Sequence, residues 1–216
     1  MKLKVCGIRE NPEMVATVSP DYLGFIFWEP SPRFISKSPK EIPEGIEKVG
    51  VFVDAPVSFI LERIKPFGLS YLQLHGNESP EFCISLRKEL NGLPGKGGKK
   101  IALIKVFSVK DDFNFSRLEP YEQVCDYFLF DTKGKLPGGN GYAFDWRLLK
   151  NYPSSKPYFL SGGIGLDQVP QLIRFMESPE AVHCHALDVN SRFEIEPGIK
   201  DIPGLELFKK LIFENR

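Results

Sequence analysis

The chain has 216 residues, of which 42% are hydrophobic and 26% charged, a balance that fits one globular domain with a sizeable core and excludes a fibre or a disordered segment. Lys plus Arg and Asp plus Glu both number 28, so no net field favours nucleic acid or an anionic membrane surface, and the expected partner is a small molecule. Lys2 and Lys4 are not followed by an apolar h-region, and no run approaches the roughly 18 apolar residues of a membrane span, which makes a cytoplasmic location the expectation.

The first strand-like run, Leu3 to Cys6, sets Leu3 and Val5 on one face and Lys4 and Cys6 on the other. Gly7 allows a sharp exit, and Asn11-Pro12-Glu13 supplies a cap, a first-turn proline and an early acid for a helix. Further strand-like runs follow at Tyr22 to Phe27, Val49 to Val53, Tyr71 to His75, Ile101 to Phe107, Tyr127 to Asp131, Tyr158 to Ser161 and His185 to Val189. Between them lie helix signals: Ser79-Pro80-Glu81 closed by Asn91-Gly92, Asp167 opening a segment to Met176, and Leu205, Phe208 and Ile212 at helical spacing near the end. Eight strand-helix alternations in 216 residues favour a closed (β/α)₈ barrel of the TIM type, as one α/β domain over residues 1–216, above an open sheet. The length leaves room for few insertions, so the helices after the first two strands should be brief or irregular. Gly92 to Lys100 reads as a solvated turn, because it lacks P-loop spacing and runs into a strand.

In such a barrel the chemistry belongs where strands end. Cys6 ends the first strand; a lone cysteine there is more often a small buried hydrophobe, but its phase points away from the helix-packing side. Cysteines 6, 83, 125 and 184 are far apart without a C-x-x-C pair and read as free thiols. Asp131 follows Tyr127-Phe128-Leu129-Phe130, and either caps the next turn or serves a purpose, with equal weight on the residues alone. Gly138-Gly139-Asn140-Gly141 suits a lid but does not match a dinucleotide fingerprint. Gly162-Gly163 after the seventh strand and Asn190-Ser191 after the eighth occupy the places of the recurrent phosphate site of these barrels. Gln73 and His75 share the inward face of the fourth strand, and Arg33 is a loop arginine able to clamp a carboxylate. Lys105 as a Schiff-base lysine would need a burial-lowered pKa that nothing nearby supports. His183-Cys184-His185 alternates faces at a strand start and reads as structural rather than metal-binding.

Taken together, Lys4-Val5-Cys6-Gly7-Ile8, Gly50-Val51-Phe52-Val53, Leu72-Gln73-Leu74-His75-Gly76, Phe130-Asp131-Thr132-Lys133, Gly138 to Gly141 with Phe144-Asp145-Trp146, Leu160-Ser161-Gly162-Gly163-Ile164 and Asp188-Val189-Asn190-Ser191 closely resemble the phosphoribosylanthranilate isomerase family of tryptophan biosynthesis. The resemblance runs in order from residue 2 to about residue 201. It implies a cofactor-free Amadori rearrangement of N-(5-phosphoribosyl)anthranilate to 1-(2-carboxyphenylamino)-1-deoxyribulose 5-phosphate, in a monomer or homodimer. By the family pattern Cys6 is the general base and Asp131 the general acid. The same pattern has Arg33 meeting the anthranilate carboxylate and Asp188 positioning the ribose; Gln73, His75 and Gly139 join the substrate site, and Gly162, Gly163, Asn190 and Ser191 hold the phosphate. Cys6 is expected to titrate below a free thiol, since half ionisation at pH 7 needs only roughly 2 kcal/mol of local stabilisation; burial beside Leu129 and Phe130 is expected to raise Asp131. Two departures stand out: Arg192 where many members carry glycine, which would add charge to the anion site, and Asn140 in place of the commoner Thr or Ser. A sister phosphosugar isomerase would carry aspartate at position 6, and an idle phosphate-binding barrel would tolerate loss of Cys6 or Asp131; both residues are present.

Overall fold

The computed structural model describes residues 1–39, 42–93, 98, 100–110, 112–132 and 144–214. Eight parallel strands close into a barrel in sequential order. They are β1 (Lys2–Cys6), β2 (Tyr22–Ile26), β3 (Glu47–Phe52), β4 (Tyr71–Leu74), β5 (Ala102–Val109), β6 (Tyr127–Thr132), β7 (Tyr158–Leu160) and β8 (Cys184–Val189). All eight coincide with the runs marked in the sequence, because parallel strands buried on both faces are rich in branched and aromatic residues. A short antiparallel hairpin, β9 (Glu194–Glu196) with β10 (Ile199–Lys200), follows the barrel and gave no clear sequence signal.

The helical shell is uneven. α1 (Pro12–Thr17) is six residues long, α2 (Val57–Phe67) and α3 (Pro80–Leu90) are full helices, and α4 (Val169–Met176) and α5 (Ile202–Lys209) close the shell. Among the described residues no α-helix joins β2 to β3, and single 3₁₀ segments, Phe115–Tyr121 and Trp146–Asn151, stand before β6 and β7. The expected brevity after the first two strands therefore holds. α3 begins as its sequence implied, with the Ser79 hydroxyl accepting the Phe82 N–H at 3.2 Å. Asn11 does not cap α1: its side chain instead donates to Lys200 O at 3.0 Å and accepts Lys200 N–H at 3.0 Å, tying the hairpin to β1's exit. α4 starts two residues after Asp167, which lies in a 3₁₀ turn, Leu166–Gln168. No helix among the described residues is long and apolar enough to cross a membrane.

Alternation sorts the strand residues as β1 predicted. Leu3 and Val5 pack outward among the helices, while Lys4 is fully buried inside the barrel. At the N-terminal end of the interior, Tyr22, Val49, Ile104, Leu129, Phe159 and Ala186 form a separate apolar layer. Phe159 lies with its ring 5.5 Å from Tyr22, 5.5 Å from Tyr127 and 5.4 Å from His185. His185 is thus a core aromatic whose Nε2 meets the Tyr22 hydroxyl at 2.7 Å, and Cys184 faces the other way toward Ala186 O, so these two residues of the run alternate faces.

Candidate active site

Strand register builds the site. β1 pairs with β8 so that Lys4 stands beside Asp188, and with β2 so that Cys6 stands beside Gly24. A side chain at position 24 would put its Cβ 2.7 Å from Cys6 Sγ; glycine within β2 leaves the thiol its room. Cys6, Gln73, His75, Asp131, Gly162, Gly163, Asp188, Asn190 and Ser191 all line one cavity at the C-terminal mouth of the barrel. Trp28 and Ser31, which share that lining, are not singled out by the sequence, and Ser161 appears there only as a member of the Leu160 to Ile164 motif, without a role of its own.

The two proposed proton-transfer groups are both enclosed. Asp131 is 3% exposed and its Oδ1 accepts the Thr132 N–H at 3.0 Å. His75 Nε2 lies 3.3 Å from Asp131 Oδ2, without the alignment of a formed hydrogen bond. Cys6 is 5% exposed, and burial pushes its thiol above the ordinary range; Lys4 and Lys200 pull it down, while Asp188 pushes it further up. The expectation that Cys6 titrates below a free thiol is therefore corrected. The electropositive neighbours are present, but desolvation of a thiolate in a closed barrel outweighs them.

Lys4 was visible in the sequence only as a polar residue in phase with Cys6, and it is the hub of the interior. Its ammonium donates to Asp188 Oδ2 at 2.7 Å and to Gln73 Oε1 at 2.8 Å. Burial works against the charge on both Lys4 and Asp188; on Lys4 the negative charge of Asp188 and Cys6 outweighs it, and on Asp188 burial wins. The 2.7 Å contact is that of an ion pair, which we take as the state of the two groups. Asp188 Oδ1 has no hydrogen-bond partner among the described residues and is free to meet a ligand hydroxyl. Gln73 faces inward as expected, yet its amide is engaged at both ends, by Lys4 and by His75 Nδ1 at 3.1 Å.

Around the phosphate-type loops the backbone is fixed from several sides. Gly162 has φ 93°, and a Cβ there would collide with Thr132, so the loop after β7 presses directly on the end of β6. Asn190 is held by Lys200, whose buried ammonium reaches Asn190 Oδ1 at 2.8 Å and Glu194 Oε1 at 2.7 Å. Burial lowers Lys200 to about 8 even though Glu194 raises it. Arg192 lines the same cavity and pairs with Asp167 at the start of the turn before α4.

Arg33 is placed differently from the other candidates. It packs over Gly7 but stands outside the cavity lining, with Nε and Nη2 clamped on the Glu194 carboxylate at 2.7 to 3.0 Å. Nη1 makes no part of that clamp. Gly139, with the rest of Gly138 to Gly141, lies outside the described residues, as does most of Gly92 to Lys100. Lys105 points outward, donating to Gly76 O at 2.8 Å, Glu78 Oε2 at 2.9 Å and Leu74 O at 3.3 Å, so its three protons are committed to structure. No group of three or more His, Cys, Asp or Glu able to hold a metal ion occurs among the described residues.

The model of the family N-(5'-phosphoribosyl)anthranilate (PRA) isomerase matches residues 3–211. The chain belongs to this family. Among curated relatives, the N-(5'-phosphoribosyl)anthranilate isomerase of Parabacteroides distasonis is 41% identical, the match covering 96% of this chain and 91% of that one. The phosphoribosyl anthranilate isomerase structure from Thermotoga maritima superposes with a TM-score of 0.79 at 30% identity, covering 98% of each chain. A second family structure, in complex with reduced 1-(o-carboxyphenylamino)-1-deoxyribulose 5-phosphate, gives a TM-score of 0.75 at 28% identity over 98% of each chain. The barrel expected from strand-helix alternation is thus the family's fold, and the resemblance noted on seven motifs extends along nearly the whole chain.

Proposed function

We propose that this chain isomerises N-(5'-phosphoribosyl)anthranilate to 1-(o-carboxyphenylamino)-1-deoxyribulose 5-phosphate in tryptophan biosynthesis, with Asp131 as general acid and Cys6 as general base. The observation that carries the reading is that a thiol, a carboxyl group and the loops after β7 and β8 meet over one cavity. Asp131, as a carboxylic acid, gives its proton to the ribose ring oxygen; the C1′–O bond breaks, and the anilino nitrogen lone pair forms the C1′=N bond. The Cys6 thiolate then takes the C2′ proton, and the released electron pair neutralises the iminium as an enolamine. Gain of a proton at C1′ and loss of the C2′ hydroxyl proton give the ketone, with no net oxidation and no cofactor required. The raised Cys6 thiol has a kinetic price: each pKa unit above the working pH adds about 1.4 kcal/mol to the barrier.

Gly162, Gly163, Asn190 and Ser191 hold the phosphate at the end of the barrel where phosphate sites recur. Asp188 Oδ1, without a protein partner, takes a ribose hydroxyl, and His75 faces the reacting carbons beside Asp131. Arg33 meets the anthranilate carboxylate through the edge that Glu194 leaves uncovered, or by exchanging one carboxylate for the other. Gly139 is assigned to the substrate site on the family pattern alone.

The test is direct: freshly prepared phosphoribosylanthranilate is mixed with the purified protein and the loss of its fluorescence is followed. Turnover at an enzymatic rate is expected. No turnover above the uncatalysed reaction would sink the assignment.

A further inference from the structure

The polar groups in the barrel mouth form a chain with a direction. Lys4, fully buried, can only donate, and it donates to Gln73 Oε1 at 2.8 Å. That choice orients the Gln73 amide: with its oxygen taken by the ammonium, its NH₂ group is the end that faces His75 Nδ1 at 3.1 Å. Gln73 is 1% exposed, so no water exchange reverses the amide cheaply. A donor aimed at Nδ1 requires a lone pair there. The imidazole proton must then sit on Nε2, the nitrogen 3.3 Å from Asp131 Oδ2.

Asp131 is prepared for the same polarity. Its Oδ1 accepts the Thr132 N–H at 3.0 Å, which leaves Oδ2 as the oxygen that carries the transferable proton. As that proton leaves for the substrate, charge develops on Oδ2, 3.3 Å from the nitrogen that carries the imidazole proton. At 3.3 Å and without hydrogen-bond alignment the contact has to reorient to become a bond, as catalytic hydrogen bonds commonly do when ligand binds.

We propose that Lys4 and Gln73 form a one-way hydrogen-bond relay that holds His75 in its Nε2–H tautomer, so that His75 donates to Asp131 as that carboxyl group gives up its proton. The proposal rests on the reading of Asp131 as the general acid and adds Lys4, Gln73 and His75 as positioning residues for it. It also accounts for a buried lysine and glutamine on adjoining inward positions, where apolar packing would be the cheaper filling.

The chain has three histidines, so the imidazole region of a ¹H–¹⁵N spectrum of the labelled, ligand-free protein is readily assigned by His75→Gln. Near neutral pH the His75 signals should be those of the Nε2–H tautomer, and Gln73→Met should shift them toward a mixture. An Nδ1–H tautomer in the wild type overturns the relay. Kinetics supply a second reading, because a glutamine amide can place N–H near the Nε2 position, whereas asparagine reaches only the Nδ1 position. His75→Gln is expected to keep kcat about tenfold above His75→Asn, with KM changed less, since a hydrogen bond to a developing charge is worth about that factor. Equal kcat values for the two variants in folded protein contradict the proposal. Because the spectrum needs no substrate, an Nε2–H tautomer in a protein without turnover would refute the assigned reaction and leave the relay standing; turnover with an Nδ1–H tautomer would do the reverse.

Discussion

The two ends of the barrel interior are built from opposite materials. At the N-terminal end Tyr22, Phe159 and Leu129 pack with Tyr71, Tyr127 and His185 into a layer whose few polar atoms find partners within it, such as the Tyr22 hydroxyl with His185. One layer up, Lys4, Gln73, Asp131 and Asp188 are as deeply buried, yet Asp188 Oδ1 and His75 Nε2 lack hydrogen-bond partners among the described residues. A barrel of this size has no need to bury charge for stability, and paired buried ions are at best break-even against apolar packing. The contrast teaches where the fold gives up stability for chemistry: the lower layer holds the barrel together, and the upper layer holds groups whose unmet valences face a ligand.

That division can be broken at either end. Phe159→Ala removes a ring from the centre of the lower layer and should cost about 3–5 kcal/mol of unfolding free energy, measured by denaturant titration, while the folded fraction keeps its turnover per site. A large loss of kcat without loss of stability would mean that the lower layer is not merely structural. In the upper layer, Gly24→Ala places a methyl group against Cys6 Sγ, which must move aside. We expect kcat to fall about tenfold or more through misplacement of the base, with thermal stability changed far less than in Phe159→Ala.

Acid sharpens the comparison further. Burial, followed by the charge of Lys2, holds His185 down to about 4 in the folded chain. A histidine in the unfolded chain titrates near 6.5, so between these values the unfolded state binds more protons. The stability present above pH 6.5 should then be lost as pH falls toward 4, by about 1–2 kcal/mol after allowance for partial exposure. His185→Gln should flatten that part of the stability profile; an unchanged slope would place the acid sensitivity elsewhere. The smallest effect is expected at the exposed Arg192–Asp167 pair: Asp167→Asn should alter stability by no more than about 0.5 kcal/mol, whereas Arg192→Gly should raise KM for a phosphorylated substrate by removing a cation from the cavity rim. Melting curves and initial rates separate the two.

The barrel was legible because eight strands buried on both faces each leave a run of branched and aromatic residues, and because motif order carried the family. Phase on β1 placed Lys4 beside Cys6, but the value of Lys4 depends on Asp188 and Gln73 from β8 and β4, a neighbourhood fixed by register across the closed barrel rather than by local sequence. The direction of the Cys6 shift is not legible in the sequence for a related reason. Positive neighbours can be guessed from a strand, whereas the burial that opposes them appears only when the barrel closes. The sequence shows Arg33 as a loop arginine able to clamp a carboxylate but not that Glu194 occupies it, because Glu194 lies 161 residues away on a short hairpin with no clear sequence signal. Asn11 illustrates the same limit at a helix end, where a distant backbone partner displaced the local cap.

The most direct measurement of the central claim is kcat/KM for phosphoribosylanthranilate in wild type, Cys6→Ala and Asp131→Asn, each with its melting temperature. Removing a general acid or base should lower kcat/KM by about 10²–10⁴, while both variants remain folded, since each substitution takes an ionisable group out of a buried position without opening a large cavity. Two folded variants that turn over at the wild-type rate would contradict the account.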